Sequence, residues 1–154
     1  MKSYEGVDRR FDFKLKNDRH VLLSDYAHHP KEILQSAKSL KEIYPNRKIT
    51  VIFQPHLYSR TNDFYRDFAE ALSHFDEVVL TEIYPAREEP IPGVTSALIY
   101  DNLSSNVEKQ MIRKDDVLEF AKNRDFDVLV VLGAGNLDNY VGQLTEIIKE
   151  KEQR

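Results

Sequence analysis

The sequence predicts an α/β domain of three layers in a Rossmann-like arrangement, with a mostly parallel six-stranded sheet, one antiparallel strand and helices on both faces. Three observations lead there. Short β-branched runs alternate with segments of helical period along the chain. The strongest runs, Ile49 to Phe53 and Asp127 to Leu132, are continuously apolar, as in strands covered on both faces. The spacing between runs suits crossover helices, which parallel strands require.

Taken in order, Phe11 to Lys16 alternates apolar and polar residues, the period of a half-buried strand. Val21 to Leu23 is a short apolar run that ends at Asp25. Pro30 opens a helix, where a missing N–H costs nothing. Ile33, Leu34, Ala37, Leu40 and Ile43 share one face of it, and Pro45-Asn46 ends it. After the strand at Ile49 to Phe53, Asn62 or Asp63 is expected to cap a helix that buries Phe64, Phe68, Ala71 and Leu72. Glu77 to Thr81 is the next strand, followed by a short helix from Thr95 to Asn102 and a brief strand from Lys109 to Arg113. Asp115 or Asp116 starts a helix through Ala121. The strand from Asp127 to Leu132 ends in Gly133-Ala134-Gly135, and a last helix runs from Leu137 to Lys149. There is no internal repeat, low-complexity tract or linker, so residues 1–154 read as one domain.

Composition narrows the function classes. A formal net charge of −4 argues against binding a nucleic-acid backbone. The absence of cysteine excludes disulfides and thiolate metal sites. The sequence has no apolar run of the ~20 residues that span a bilayer, and Met1-Lys2-Ser3-Tyr4-Glu5 is unlike a signal peptide. A cytoplasmic location is expected.

Ligands of doubly wound sheets bind beyond the C-terminal ends of the strands. The unusual residues of this chain fall there: Asp25 to His29, Gln54 to Arg60, Tyr84 to Gly93 and Gly133 to Asn136. In the first loop, His28 and His29 offer imidazole ligands or a helix cap. No third ligand stands at a recognised metal spacing, so no metal site is expected. In the second, His56, Tyr58 and Arg60 suit a polar pocket, and the planar guanidinium of Arg60 suits a carboxylate. The competing reading is a solvated arginine beside an acid. Arg9-Arg10 is either a basic surface pair or an anion contact. Gly133-Ala134-Gly135 permits close approach of phosphate or simply makes a tight turn, and it lacks the full dinucleotide pattern.

Together these segments resemble the C-terminal domain of the Mur ligase family. Arg10-Phe11 and Asp25-Tyr26-Ala27-His28 resemble its opening. Gln54-Pro55-His56, Tyr58, Arg60-Thr61 and the run Tyr84 to Gly93 resemble the branch that adds L-alanine to UDP-N-acetylmuramate in peptidoglycan synthesis. The resemblance spans about Gly6 to Gly142. It implies an ATP-dependent ligase that proceeds through an acyl phosphate, with Mg²⁺ accompanying ATP. Arg10 would reach the ATP phosphates and Asp25 the ribose. Tyr26, His28, His56, Tyr58 and Arg60 would line the L-alanine pocket, with Arg60 on the carboxylate and His56 near the amine. Three positions depart from the pattern: Leu57 stands where an arginine is frequent, Asn136 where an acid is frequent, and Ser24 where an aspartate is frequent. A murein-peptide recycling ligase and a non-enzymatic nucleotide-binding or interaction module remain alternatives.

The chain contains no G-x-x-x-x-G-K-[ST] phosphate loop and no recognisable UDP-binding domain. It therefore reads as a fragment lacking the UDP-binding and central ATPase domains, and no cofactor is expected bound to it alone. Mixed with ATP, UDP-N-acetylmuramate and L-alanine, the 154-residue chain should release no phosphate above background. A phosphate-release assay showing sustained turnover would overturn this expectation.

Overall fold

The computed structural model of the chain describes residues 11–25, 27–132 and 136–153. Six strands form one sheet: β1 (Phe11–Lys16), β2 (Val21–Asp25), β3 (Ile49–Phe53), β4 (Glu77–Leu80), β5 (Glu108–Met111) and β6 (Val128–Leu132). Their order is β1-β2-β6-β3-β4-β5, and every pair is parallel except β1 with β2. The expected α/β class and mostly parallel sheet are both present.

Alternation along the strands assigns each side chain to one of two cores. Val21, Leu23, Ile49, Val51, Phe53, Val78, Leu80, Val128, Val130 and Leu132 face one side. There they meet α1 (Pro30–Ile43), α2 (Tyr58–Leu72) and the single turn α3 (Ala97–Tyr100). Leu22, Ile52, Val79, Leu129 and Val131 face the other side, against α4 (Val117–Lys122) and α5 (Val141–Glu152). Both faces are therefore covered, which is why β6 is apolar at every position and β3 at all but Thr50. β1 is the exception: its register slips between Phe13 and Leu15. Phe11 and Phe13 consequently pack on the first core, and Leu15 on the second.

Several boundaries differ from the sequence expectations. α2 begins at Tyr58, four residues before Asn62, and its N-cap position is Leu57. Asn62 and Asp63 are exposed inside the helix. The helix kinks at Phe64 (φ −128°, ψ 15°), and Phe64 leaves the expected buried stripe for solvent, at 44% exposed. Ile43, at the end of α1, is likewise 49% exposed. The expected last helix divides into a 3₁₀ turn at Asn136–Tyr140 and α5 proper. A second 3₁₀ turn, Lys114–Asp116, precedes α4.

The C-terminal ends of β2, β6 and β3 are level, because Asp25 pairs in register with Leu132 and Leu132 with Phe53. The connection after β2 passes over the first face, and the one after β6 over the second. Divergent connections at neighbouring strands open a crevice between them.

At the opposite end of the sheet, Glu77 is fully buried and receives a two-pronged contact from Arg124, at 2.5 and 2.9 Å. Thr50 Oγ1 donates to it at 3.2 Å, and Lys48 Nζ lies 3.7 Å away. Burial pushes the carboxyl pKa up, but the hydrogen bonds and charge of Arg124, with Lys48 and Thr50, outweigh it and hold the group below its usual value. Such a carboxylate stabilises the fold above its unfolded pKa of about 4.3 and loses that contribution as pH falls through the lower folded value. Arg124→Ala should cost about 3 kcal/mol at neutral pH, since it strands a buried charge. Urea unfolding across a pH series should show the gap from wild type narrowing below about pH 4.

Candidate functional site

The crevice brings three of the expected loops to one rim, beginning with Asp25 at the end of β2. Asp25 is 2% exposed. One carboxylate oxygen accepts from the Ala27 N–H at 3.0 Å, and the other from the Ser36 hydroxyl of α1. The carboxylate braces the turn between β2 and α1. Beyond that turn, the His28 and His29 rings lie 4.5 Å apart. Their backbone N–H groups both donate to Glu32 Oε1, at 3.2 Å each. The first turn of α1 thus brings Glu32 to the histidines, a third potential ligand that sequence spacing did not single out. The ligand atoms of the three lie within 4.8 Å of one another. In this geometry Glu32 serves as a helix-capping acceptor.

Gln54, at the end of β3, is 1% exposed, and its Oε1 accepts from the Leu137 N–H at 3.1 Å. It ties the start of the 3₁₀ turn after β6 to the neighbouring strand. The next residues are stitched to the loop after β4. Leu57 N–H donates to the Tyr84 carbonyl, and Tyr84 N–H to the Pro55 carbonyl, each at 2.8 Å. His56 and Tyr84 form an isolated parallel bridge, and their rings stack 5.5 Å apart at 13°. Glu88 then accepts from both the backbone N–H (3.1 Å) and the hydroxyl of Ser59. Two non-glycine residues of the described chain have positive φ, and they flank this stitch: Leu57 at 74° and Ala86 at 53°. Such conformations cost on the order of 1–3 kcal/mol each and persist where surroundings enforce them.

His56 and Arg60 are both half-buried on this platform. Arg60 sits in the first turn of α2 and makes no ion pair with any described residue. His56 Nδ1 is buried without a hydrogen-bond partner among the described residues. Burial lowers the His56 pKa, the charges of Arg60 and His28 lower it further, and Glu88 opposes them. The arrangement offers a neutral imidazole beside an unpaired guanidinium, which suits a ligand carrying both a carboxylate and an amine. Tyr58 lines a neighbouring cleft of about 560 Å³ with Ile83, Val94 and Met111, whose walls do not include His56 or Arg60.

Of the residues expected from sequence, Asp25, His28, His56, Tyr58 and Arg60 all lie on loops or first turns of this rim. Arg9, Arg10, Tyr26 and Gly133-Ala134-Gly135 lie outside the described residues. Gln54, Tyr84 and Glu88 were quoted in motifs but given no role; Ser36 and Glu32 were not noticed. Their only signal was the position of polar residues at strand ends and in first helical turns. The lowered His56 pKa carries a consequence. A ¹³C-edited NMR titration of the chain should place the imidazole transition below the usual ~6.5. The unfolded chain then binds the proton more readily, so this group removes stability as pH drops below about 6.5. A His56 transition at or above that value would contradict the geometry described.

Comparison with known proteins identifies the family and the fold. The family described as Mur ligase, glutamate ligase domain, matches residues 9–135. A UDP-N-acetylmuramate–L-alanine ligase of Phocaeicola vulgatus is 58% identical over 151 residues, which cover 98% of this chain and 33% of that protein. The crystal structure of UDP-N-acetylmuramate-alanine ligase from Thermotoga maritima superposes with a TM-score of 0.73 at 28% identity, covering 93% of this chain and 30% of that one. A murein peptide ligase from Psychrobacter arcticus shares the fold, with a TM-score of 0.71 at 17% identity, over 91% of this chain and 30% of that one. The chain spans about a third of the length of the curated relatives it matches. With a family match over most of its length and a relative 58% identical over nearly all of it, the chain belongs to the Mur ligase family.

Proposed function

We propose that the chain is the C-terminal, amino-acid-binding domain of a cytoplasmic ATP-dependent ligase that adds L-alanine to UDP-N-acetylmuramate. The observation that carries this reading is Arg60: a half-buried guanidinium with no ion-pair partner among the described residues, next to an imidazole held neutral. The guanidinium fork receives the alanine carboxylate. His56 stands where it accepts a proton from the alanine ammonium, freeing the nitrogen lone pair for attack. The amine attacks the activated acyl carbon of the sugar's lactyl group, the C–N bond forms, the leaving group departs with the bond electrons, and the nitrogen gives up its second proton to the leaving group or solvent. His28, whose charge acts on His56, forms the opposite wall, and Tyr58 closes the side towards the second cleft; the part given to Tyr26 rests on the resemblance alone.

ATP with Mg²⁺ supplies the activation of the lactyl carboxylate. Asp25 is buried and accepts from Ala27 and Ser36. The roles of Asp25 at the ribose and Arg10 at the phosphates rest on the resemblance alone. No step is assigned to ATP within this chain. No described helix is long and apolar enough to cross a membrane. The relatives at 58% and 50% identity, both UDP-N-acetylmuramate–L-alanine ligases, favour L-alanine over the peptide of a recycling ligase. A purely non-enzymatic module would leave the unpaired Arg60 without a task.

In the full-length ligase, Arg60→Ala should raise KM for L-alanine roughly 30-fold or more, from a lost charge-assisted contact of about 2 kcal/mol. KM for ATP should stay within twofold. Steady-state kinetics with unchanged alanine KM, or a preference for a tripeptide over L-alanine, would refute the assignment.

A further inference from the structure

The roles proposed for Arg60 and His56 leave one charged group on the same platform unused. Glu88 lies in the loop after β4, far in sequence from α2, yet its carboxylate sits at the first turn of that helix. It accepts from Ser59 N–H at 3.1 Å and from the Ser59 hydroxyl. The N-cap position itself, Leu57, has no polar side chain and makes no side-chain cap bond. Helix N-termini leave backbone N–H groups without intrahelical partners, and an acceptor there is worth about 1 kcal/mol. The acceptor that α2 lacks in its own sequence is thus supplied by another loop.

We propose that Glu88 is a positioning residue: by capping α2 from the neighbouring loop, it locks the Gln54–Thr61 and Tyr84–Gly93 segments together so that Arg60 and His56 face one amino-acid site. Four further contacts support the lock. The two Pro55–Leu57–Tyr84 backbone bonds fix the loops side by side. The His56 ring rests flat on Tyr84. Glu88 N–H donates to the Pro85 carbonyl at 2.9 Å, so the loop that carries the carboxylate is itself a tight turn. Leu57 and Ala86, the two described non-glycine residues with positive φ, lie immediately inside the lock, one on each loop. A strained backbone on both sides needs a fastening, and Ser59–Glu88 is placed to provide it.

The carboxylate also acts at a distance. The groups that bear on His56 are Arg60 from α2, His28 from the loop after β2, and Glu88, with Tyr84 stacked on its ring. Glu88 is the one that favours the protonated imidazole. The Ser59 hydrogen bonds hold the Glu88 carboxyl below its usual pKa, which favours its charged form.

The inference rests on the proposed alanine site for its kinetic consequence, but its structural core is testable without it. In the 154-residue chain, NMR should show the His56 transition moving to lower pH in Glu88→Gln, which keeps an acceptor oxygen but loses the charge. Glu88→Ala should in addition perturb the Ser59 and Arg60 amide resonances, while those of α5 stay unchanged. In the full-length ligase, Glu88→Ala should raise KM for L-alanine about tenfold, with KM for ATP within twofold. Ser59→Ala should add little on top of it, since both break one contact. An unmoved His56 transition together with unperturbed Ser59 and Arg60 amides, in a folded variant, overturns the proposal. If the variants shift these signals but the wild-type ligase does not use L-alanine, the lock stands and the substrate assignment falls. Retained alanine KM in Glu88→Ala, where Arg60→Ala loses it, also overturns the positioning role.

Discussion

Strand β6 is the last to appear in the sequence and sits in the middle of the sheet. It is the strand that joins β1 and β2 to β3, β4 and β5. Every ladder bond between the two halves passes through Val128 to Leu132. All five of these side chains are buried, split between the two cores. The insertion fixes where ligands can lie: it levels Asp25, Leu132 and Phe53, and it sends neighbouring connections to opposite faces. The rim exists because a late segment completes an early one, and the loops on either side gain their relative positions from it. Gln54 makes that dependence explicit, reaching from the end of β3 to the backbone that follows β6.

Much of this architecture was legible in the sequence because burial leaves a pattern. The apolar runs of β3 and β6 and the period of α1 reflect which faces are covered, and those assignments hold within a residue or two. The start of α2 was not legible. Sequence reasoning looks for a cap among residues adjacent in the chain, and Asn62 and Asp63 fit that search. The acceptor used is Glu88, nearly thirty residues on, which only tertiary structure brings near. The helix kinks at Phe64, and that ring leaves the buried stripe for solvent. The slip in β1 has the same character: alternation continues in the sequence through Leu15, but an irregular register sends Leu15 to the other core.

The site was legible to a similar extent. Histidine, tyrosine and arginine types in a loop after a strand marked His56, Tyr58 and Arg60, and the structure sets them along one rim. Sequence could not separate residues that face a ligand from those that hold others in place. The resemblance implies a ribose contact for Asp25, and in the structure its oxygens accept from Ala27 and Ser36. Glu88 was read as part of a motif and turns out to be a structural acceptor. Both cases follow from one fact: a carboxylate at a strand end finds backbone or hydroxyl donors nearby, and the partner decides its role.

The two outer strands bring a further consequence. β1 carries Asp12, Lys14 and Lys16 pointing away from the core, and β5 carries Glu108 and Lys109 in a four-residue strand of mostly exposed side chains. In the sheet as described, both margins are therefore lined with charge, and β5 is short. A neighbouring molecule attempting to extend the ladder would have to desolvate lysines and acids for a few hydrogen bonds. The apolar centre of the sheet, the most aggregation-prone stretch of the sequence, is thus shielded sideways as well as from above and below. The domain keeps its sheet finite by the placement of five charges rather than by closing it into a barrel.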